Sequence, residues 1–414
     1  MHILLIHPYF LPEDSAGSGR WNETVRYWTA AGHRVTVLAG SVHYLSGKTF
    51  ARADDTEQTG QGLHVIRVRM SRWYNRGRMG RLWAYATFFG ASLWAGLWRV
   101  PGPVDLILAT SPPLTVGLTG WLLSRLYRKP LVLELRDLWP DAPVQLGYLH
   151  HPLAKKLAYA LEAFLYRKAT HIVTLTTAFE EVLIGQKGAP RANLSTVTNG
   201  ADLALTERVL QTVDRRDFRQ KQRLEGYFWI IYAGAHGPAN GLAVVLDAAE
   251  ALHLHRVGFL LLGDGPEKPS LQAEAARRGL VNVRFLAALP KPEVIRWIAA
   301  ADAGLVLMRP TPIFDTMLSA KLPDYLACRK PVLVGIDGLS RRLAEQHAFG
   351  RYVDPTKPGQ WIDAIRLYLE SPDSVTSHGN NGYQYVCAQA DRRVLAHRYL
   401  TILDRVRSLH QTRL

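Results

Sequence analysis

Short apolar runs recur along this chain, each followed by a stretch with helical spacing, and this alternation limits the fold more than any other feature. HILLIHPYF opens the series, followed by the loop LPEDSAGSGR, a helix from about Trp21 and the run HRVTVLAG. Trp21, Val25 and Trp28 lie on one helical face, and Gly32 closes the element as helix ends prefer. Further strands are predicted at Val65 to Val68, Leu106 to Ala109, Leu131 to Leu135 and Ile172 to Leu175. Between Leu203 and Glu225 the periodic signal fades into TERVLQTVDRRDFRQKQRLEG, a helix-containing linker or domain edge. A second series follows: FWIIYAG, a helix from about Leu242, GFLLLGDG, a helix near Ser270 to Arg278, VRFLAAL, a helix from Pro292, AGLVLM and PVLVG. Amphipathic helices are predicted near Trp361 to Leu369 and Tyr383 to Val406. Strands alternating with helices imply parallel sheets covered on both faces, so the expected class is α/β with two Rossmann-like domains facing across a cleft. The expected division is 1–203, a linker over 204–225, 226–385, and a C-terminal helix over 386–414 packing back toward the first domain.

At 414 residues the chain exceeds what one core supports, and 48% hydrophobic residues supply apolar material for two. The two cysteines, Cys328 and Cys387, lack metal-type spacing and imply a reducing compartment. The apolar opening is interrupted by His7 and Pro8, and is expected to be a buried first strand rather than a secretion signal. The formal charge of +15 implies an anionic partner. Arg67, Arg69, Arg72, Arg76, Arg78 and Arg81 concentrate it, and the uncharged run Trp83 to Trp98 follows. Sixteen such residues are short of a bilayer span, so the expectation is an element lying on an anionic membrane surface, with a buried core helix as the alternative.

In open α/β sheets ligands sit where strand ends enter helices. Lys321 and Asp324 open a short helix before the strand PVLVG, a cation for phosphates beside a carboxylate for sugar hydroxyls. That pair points to a nucleotide-sugar donor. The loop Ser15 to Arg20 offers small residues that let a phosphate approach, with Gly17, Gly19 and Arg20 as candidates. Leu133-Glu134-Leu135-Arg136-Asp137-Leu138-Trp139-Pro140 ends an apolar strand in opposite charges, as catalysis or a structural ion pair would use. Tyr232 to Gly241 contains Gly234, His236 and Asn240, and Leu262 to Pro266 contains Asp264 and Gly265. Asp264 alone would suit a structural turn.

These segments, in this order, resemble the retaining glycosyltransferases of family 4, particularly the branch that builds bacterial surface polysaccharides (O-antigen, colanic-acid and N-acetyl-fucosaminyltransferase-like members). RDLWP, GDGP and the Asn199-Gly200-Ala201-Asp202 hinge carry much of the likeness. Two glutamates flank the family's donor site with a lysine between them. Here the second position reads Asp324, the lysine is Lys321, and the first position reads Thr316 with Asp315 beside it. Where relatives carry an arginine and a lysine, this chain has His236 and Asn240 nearby, and where many carry a histidine it has Arg136. The resemblance implies Arg136, Asp137 and Lys321 in catalysis. It implies Gly17, Gly19, Gly234, His236, Asn240, Asp264, Gly265, Leu289, Thr316, Lys321, Leu322 and Asp324 around the donor.

The resulting expectation is a cytoplasmic GT-B enzyme, peripheral at the inner face of the cell membrane. It would transfer a hexosyl or N-acetylhexosaminyl group from a nucleotide-sugar, UDP-linked by expectation, to a saccharide or lipid-linked acceptor with retention. No cofactor or metal is expected, because no carboxylate cluster suits one. The alternatives are a nucleotide-sugar epimerase of the same fold and a basic nucleic-acid-binding protein. Against the latter, no nucleic-acid motif is present, so no nucleic acid is expected as partner.

Overall fold

A computed structural model of the chain describes residues 1–412 other than 13–14, 16–18, 44–46, 48, 51–54, 60–61 and 76. Two units are distinguished, one containing Met1–Pro12, Arg20–Thr198 and the chain from Arg393 onward, the other containing Asn199–Arg392.

The first unit is built on β1 (His2–Ile6), β2 (Arg34–Gly40), β3 (Thr56–Thr59), β4 (Leu63–Val68), β5 (Leu106–Ser111), β6 (Leu131–Leu135), β7 (His171–Thr174) and β8 (Leu194–Thr196). They pair in the order β3-β4-β2-β1-β5-β6-β7-β8. Every pair is parallel except β3 with β4, which is antiparallel. Strand order reverses between β1 and β5, and the carboxyl ends there form the switch point at which such sheets bind ligands. β1, β5 and β6 are buried along their whole length, which is why they read as apolar runs rather than alternating ones. One face of the sheet packs Ala84, Phe88 and Ala95 from the helix Gly77–Trp98. The opposite face packs Trp21, Val25 and Trp28 against Leu395, Tyr399 and Leu403 of the helix Arg392–Gln411. Trp28 donates its indole N–H to Ala396 O at 2.9 Å, and the Tyr399 ring lies 5.4 Å from it.

The second unit carries β9 (Phe228–Ala233), β10 (Val257–Leu262), β11 (Val283–Leu286), β12 (Ala303–Leu307), β13 (Val332–Gly335) and β14 (Gly350–Tyr352). All pairs are parallel, in the order β11-β10-β9-β12-β13-β14, with the reversal between β9 and β12.

Three segments differ from what periodicity suggests. The charged stretch after Leu203 forms the helices Leu203–Thr212 and Arg215–Lys221, which belong to the second unit. Its arginines are drawn in by Asp302, which Arg215 meets at 2.5 Å and Arg219 at 3.0 Å, while Phe218 packs edge-on against Trp297. The helix expected over Tyr383 to Val406 is broken: one helix ends at Tyr385, a wide turn spans Val386–Ala390, and another helix starts at Arg392. Backbone pairing of Ala201 with Ala390 O and the Arg392 N–H competes with the helical ladder there and wins. Finally, the aromatic run belongs to the 22-residue helix Gly77–Trp98, neither wholly core nor wholly exposed.

Leu403 is fully buried in the first unit's core, so Leu403→Ala should lower that unit's stability by about 3 kcal/mol through the cavity it leaves. Chemical denaturation followed by circular dichroism checks this, and a change within about 0.5 kcal/mol would contradict the packing of the C-terminal helix.

Candidate active site

In the second unit, the end of β9 is shaped by glycines that admit other groups. A Cβ on Gly234 would lie 1.9 Å from Lys321 Cε, so glycine here is what lets the lysine stem pass. Gly263 has φ +143°, and a Cβ there would lie 1.8 Å from Gly234 O. The two strand ends are thereby locked backbone to backbone. Gly234 N donates to Leu262 O at 2.8 Å, His236 N to Asp264 O at 2.9 Å and Glu267 N to His236 O at 3.0 Å. Asp264 accepts from the Gly265 N–H at 2.9 Å, and the Lys268 ammonium donates to Gly263 O and Leu286 O, both at 2.8 Å.

Lys321 immediately precedes the helix Leu322–Ala327 and lays its ammonium over the Tyr232 ring, 4.8 Å from the centroid. Among the described residues no carboxylate pairs with it within ion-pair distance. Burial pushes its pKa down to about 8, so it is still charged at neutral pH. A charged, half-buried ammonium that rests on an aromatic face and has no carboxylate partner among the described residues can receive an anion. Asp324, one turn on, meets the Lys291 ammonium at 2.5 Å, so that carboxylate is already engaged by a cation. Leu322 is fully buried and anchors the helix, while Leu289 is half-buried in the loop after β11. Thr316 donates its hydroxyl to Ile313 O at 3.0 Å, and the neighbouring Asp315 carboxyl is held above its ordinary pKa by burial and then by Asp337.

The loop after β9 offers less side-chain chemistry than its sequence suggests. The His236 ring is fully buried beside Tyr232 and Phe285, and burial, with Lys268 adding, pushes its pKa down to about 4. A neutral, enclosed imidazole supplies no positive charge to a phosphate; the His236 backbone is what braces the turn. Asn240 is buried too, with its amide nitrogen 3.4 Å from Met308 Sδ. A cation does approach this loop from another strand end. Arg309, just beyond β12, donates its backbone N–H to Ala239 O at 2.8 Å and lies 3.7 Å from Glu267.

In the first unit, the carboxyl ends of β1, β5 and β6 bring together His7, Thr110 and the Arg136–Asp137 pair. His7 Nδ1 lies 2.8 Å from Thr110 Oγ1, and burial, then Arg136, holds its pKa well below the usual histidine value. Arg136 N donates to Ser111 O at 2.9 Å. The Asp137 carboxyl is raised by burial, an effect that Arg136 opposes. Arg20 is consumed structurally: it pairs at 3.1 Å with the fully buried Glu134 and donates to Thr198 O and Val197 O. That arrangement removes Arg20 from the phosphate candidates. Gly17 lies outside the described residues, and a Cβ on Gly19 would meet nothing within 4 Å. Among the described residues no three His, Cys, Asp or Glu side chains gather to hold a metal ion.

Sequence reasoning missed His7, Lys291 and Arg309. His7 could have been found from its place at the end of the first strand. Lys291 and Arg309 gain meaning only from partners distant in sequence.

Residues 17–200 match the family described as Glycosyl transferase 4-like domain, and residues 214–385 match Glycosyl transferases group 1. The chain is similar to a protein named for colanic acid biosynthesis, the glycosyl transferase WcaI of Escherichia coli (strain K12). Identity is 24% over 334 residues, covering 79% of this chain and 81% of that one. Among solved structures, sucrose-phosphate synthase from Thermosynechococcus elongatus shares the fold with a TM-score of 0.76 at 16% identity over 99% of both chains. Anabaena HepE in complex with UDP-glucose does so with a TM-score of 0.70 at 17% identity, over 98% of this chain and 99% of that one.

Between the folded-state value of about 8 and the ordinary lysine value of 10.5, the unfolded chain keeps the Lys321 proton that the folded chain loses. Stability therefore rises with pH across that window, whereas anion affinity falls. Calorimetric titration with UDP should show affinity steady near pH 7 and declining about tenfold per unit well above pH 8, and Lys321→Met should bind weakly with no such decline. A wild-type affinity unchanged from pH 7 to about pH 10 would place the anion elsewhere.

Proposed function

The chain belongs to the GT-B glycosyltransferases of family 4, and on that premise we propose that it transfers a hexosyl or N-acetylhexosaminyl group from a UDP-sugar to a saccharide or lipid-linked acceptor, with retention, in surface-polysaccharide assembly. The observation that carries this reading is the Lys321 ammonium, admitted by Gly234 and resting on Tyr232 at the switch point of the second sheet. Support for the donor comes from HepE, a fold relative described with UDP-glucose, and support for the pathway from the name of WcaI.

In the proposed reaction the bond from the sugar's anomeric carbon to the diphosphate oxygen breaks as the acceptor oxygen bonds to that carbon on the same face. The hydroxyl proton passes to the departing phosphate oxygen. Negative charge grows on the diphosphate, and Lys321 with the backbone N–H groups of the glycine turns stabilises it. Lys291, 2.5 Å from the Asp324 carboxylate, positions it for donor hydroxyls. On the acceptor side, Asp137, whose charged form Arg136 favours, orients the attacking hydroxyl.

The same reading places the enzyme on an anionic bilayer. Among the described residues no helix is long and apolar enough to cross a membrane. The helix Gly77–Trp98 instead turns Ala84, Phe88 and Ala95 inward and leaves Met79, Leu82, Trp94 and Trp98 outward, the last two 54% and 75% exposed. An amphipathic helix with outward tryptophans next to arginines suits an interfacial position.

A thermal-shift series over UDP-, GDP-, dTDP- and ADP-sugars tests the donor assignment. A UDP-sugar at about 100 times its Kd should stabilise the fold by about 2.7 kcal/mol, and Lys321→Ala should erase the shift. A response to none of them, or one that Lys321→Ala leaves intact, would refute it. For the bilayer, co-sedimentation with phosphatidylglycerol vesicles should be strong at low salt and fall about tenfold or more in Trp94→Ser/Trp98→Ser; equal binding by that variant would refute the surface assignment.

A further inference from the structure

The carboxyl ends of β2 and β4 open into a cavity of about 1150 Å³. It lies on the same edge of the first sheet as His7 and Asp137, with β2 separating β4 from β1. Arg69, Arg72, Trp73 and Trp83 line it, along with the hydroxyl residues Ser41 and Ser71. The wall is held in place rather than loose. Ser71 N donates to Thr87 Oγ1 on the helix Gly77–Trp98 at 3.0 Å, and Trp73 N donates to Ser71 Oγ at 3.3 Å. A Cβ on Gly40, at the end of β2, would lie 2.7 Å from Pro8 O, so that strand end is pressed against the chain leaving β1.

The arginines of this region have separate fates. Arg67 is fully buried, forked onto the Glu57 carboxylate at 2.8 and 3.1 Å, and Arg81 rests on the Tyr74 ring. Arg69 and Arg72 are exposed, and among the described residues neither meets a carboxylate. Two guanidiniums that line one cavity and meet no carboxylate among the described residues can give an anion forked hydrogen bonds. The indoles of Trp73 and Trp83 offer flat apolar faces beside that charge. Planar cations with aromatic faces match a sugar ring that carries an acidic group.

We propose that this cavity binds the acidic part of the acceptor, so that the acceptor is an anionic saccharide bearing a phosphate or a carboxylate. Two strand spacings put the end of β4, which Arg69 follows, about 10 Å from the end of β1, so an acidic group held there would be set back from the reacting hydroxyl. The proposal rests on the reading of the first unit as the acceptor half of a glycosyltransferase.

Calorimetry of the full chain with N-acetylglucosamine 1-phosphate, glucuronic acid and neutral N-acetylglucosamine tests it. Both acids should bind, the neutral sugar should bind far more weakly, and Arg69→Gln/Arg72→Gln should weaken the acids about tenfold or more. Lys321→Ala should leave these affinities unchanged. A greater loss for the phosphate than for the uronate supports a phosphorylated acceptor, and the reverse supports an acidic sugar. Equal binding of all three compounds overturns the proposal, as does an indifferent double variant or a loss on Lys321→Ala. Wild-type binding of the acids should also weaken as salt rises, and salt-independent binding overturns the proposal without any variant. UDP titration of Arg69→Gln/Arg72→Gln reads the donor site separately. In that variant UDP should bind as in wild type. If the wild-type protein binds UDP but neither acid, this inference falls and the transferase reading stands; if it binds the acids but not UDP, the transferase reading falls.

Discussion

The second unit depends on one close packing, the Lys321 stem lying where any side chain at position 234 would stand. Gly234, Gly263 and Gly265 compress two strand ends until their backbones hydrogen-bond directly, and the lysine crosses that junction to reach the Tyr232 ring. Burial makes the charge expensive to hold, yet a pKa of about 8 leaves it protonated at neutral pH. A half-buried ammonium with no carboxylate partner among the described residues is a weak point for stability, and in the proposed function the donor diphosphate supplies the missing negative charge.

Charge elsewhere shows the opposite economy. Several basic residues are paired locally: Arg20 with buried Glu134, Arg67 with Glu57, Arg215 and Arg219 with Asp302, Lys291 with Asp324. Such pairs use up an acid along with a base, so the net charge of +15 is carried by basic residues outside them. On the first unit Arg69 and Arg72 are exposed and line one cavity with Trp73 and Trp83. The proposed anionic acceptor and the proposed bilayer contact would both draw on charge in this region.

The sheets were readable because a parallel strand buried on both faces leaves an unbroken apolar run, as β1, β5 and β10 do. Edge strands left no such trace. TEQT of β3 is polar, and β8 and β14 are three residues each. The break after Tyr385 was hidden because its cause, Ala201, lies in a distant part of the chain. At the candidate site, glycines at strand ends announced turns, but their partners did not announce themselves. That His236 is enclosed, that Lys291 claims Asp324 and that Arg20 serves Glu134 are facts of packing, which spacing along one chain does not encode.

A crystal of the protein grown with a non-hydrolysable UDP-sugar tests the role of Lys321 most directly. A diphosphate oxygen should lie about 3 Å from Lys321 Nζ, beside the turns at Gly234 and Gly265. A diphosphate bound away from those turns, with the ammonium still resting on Tyr232 alone, would contradict that role.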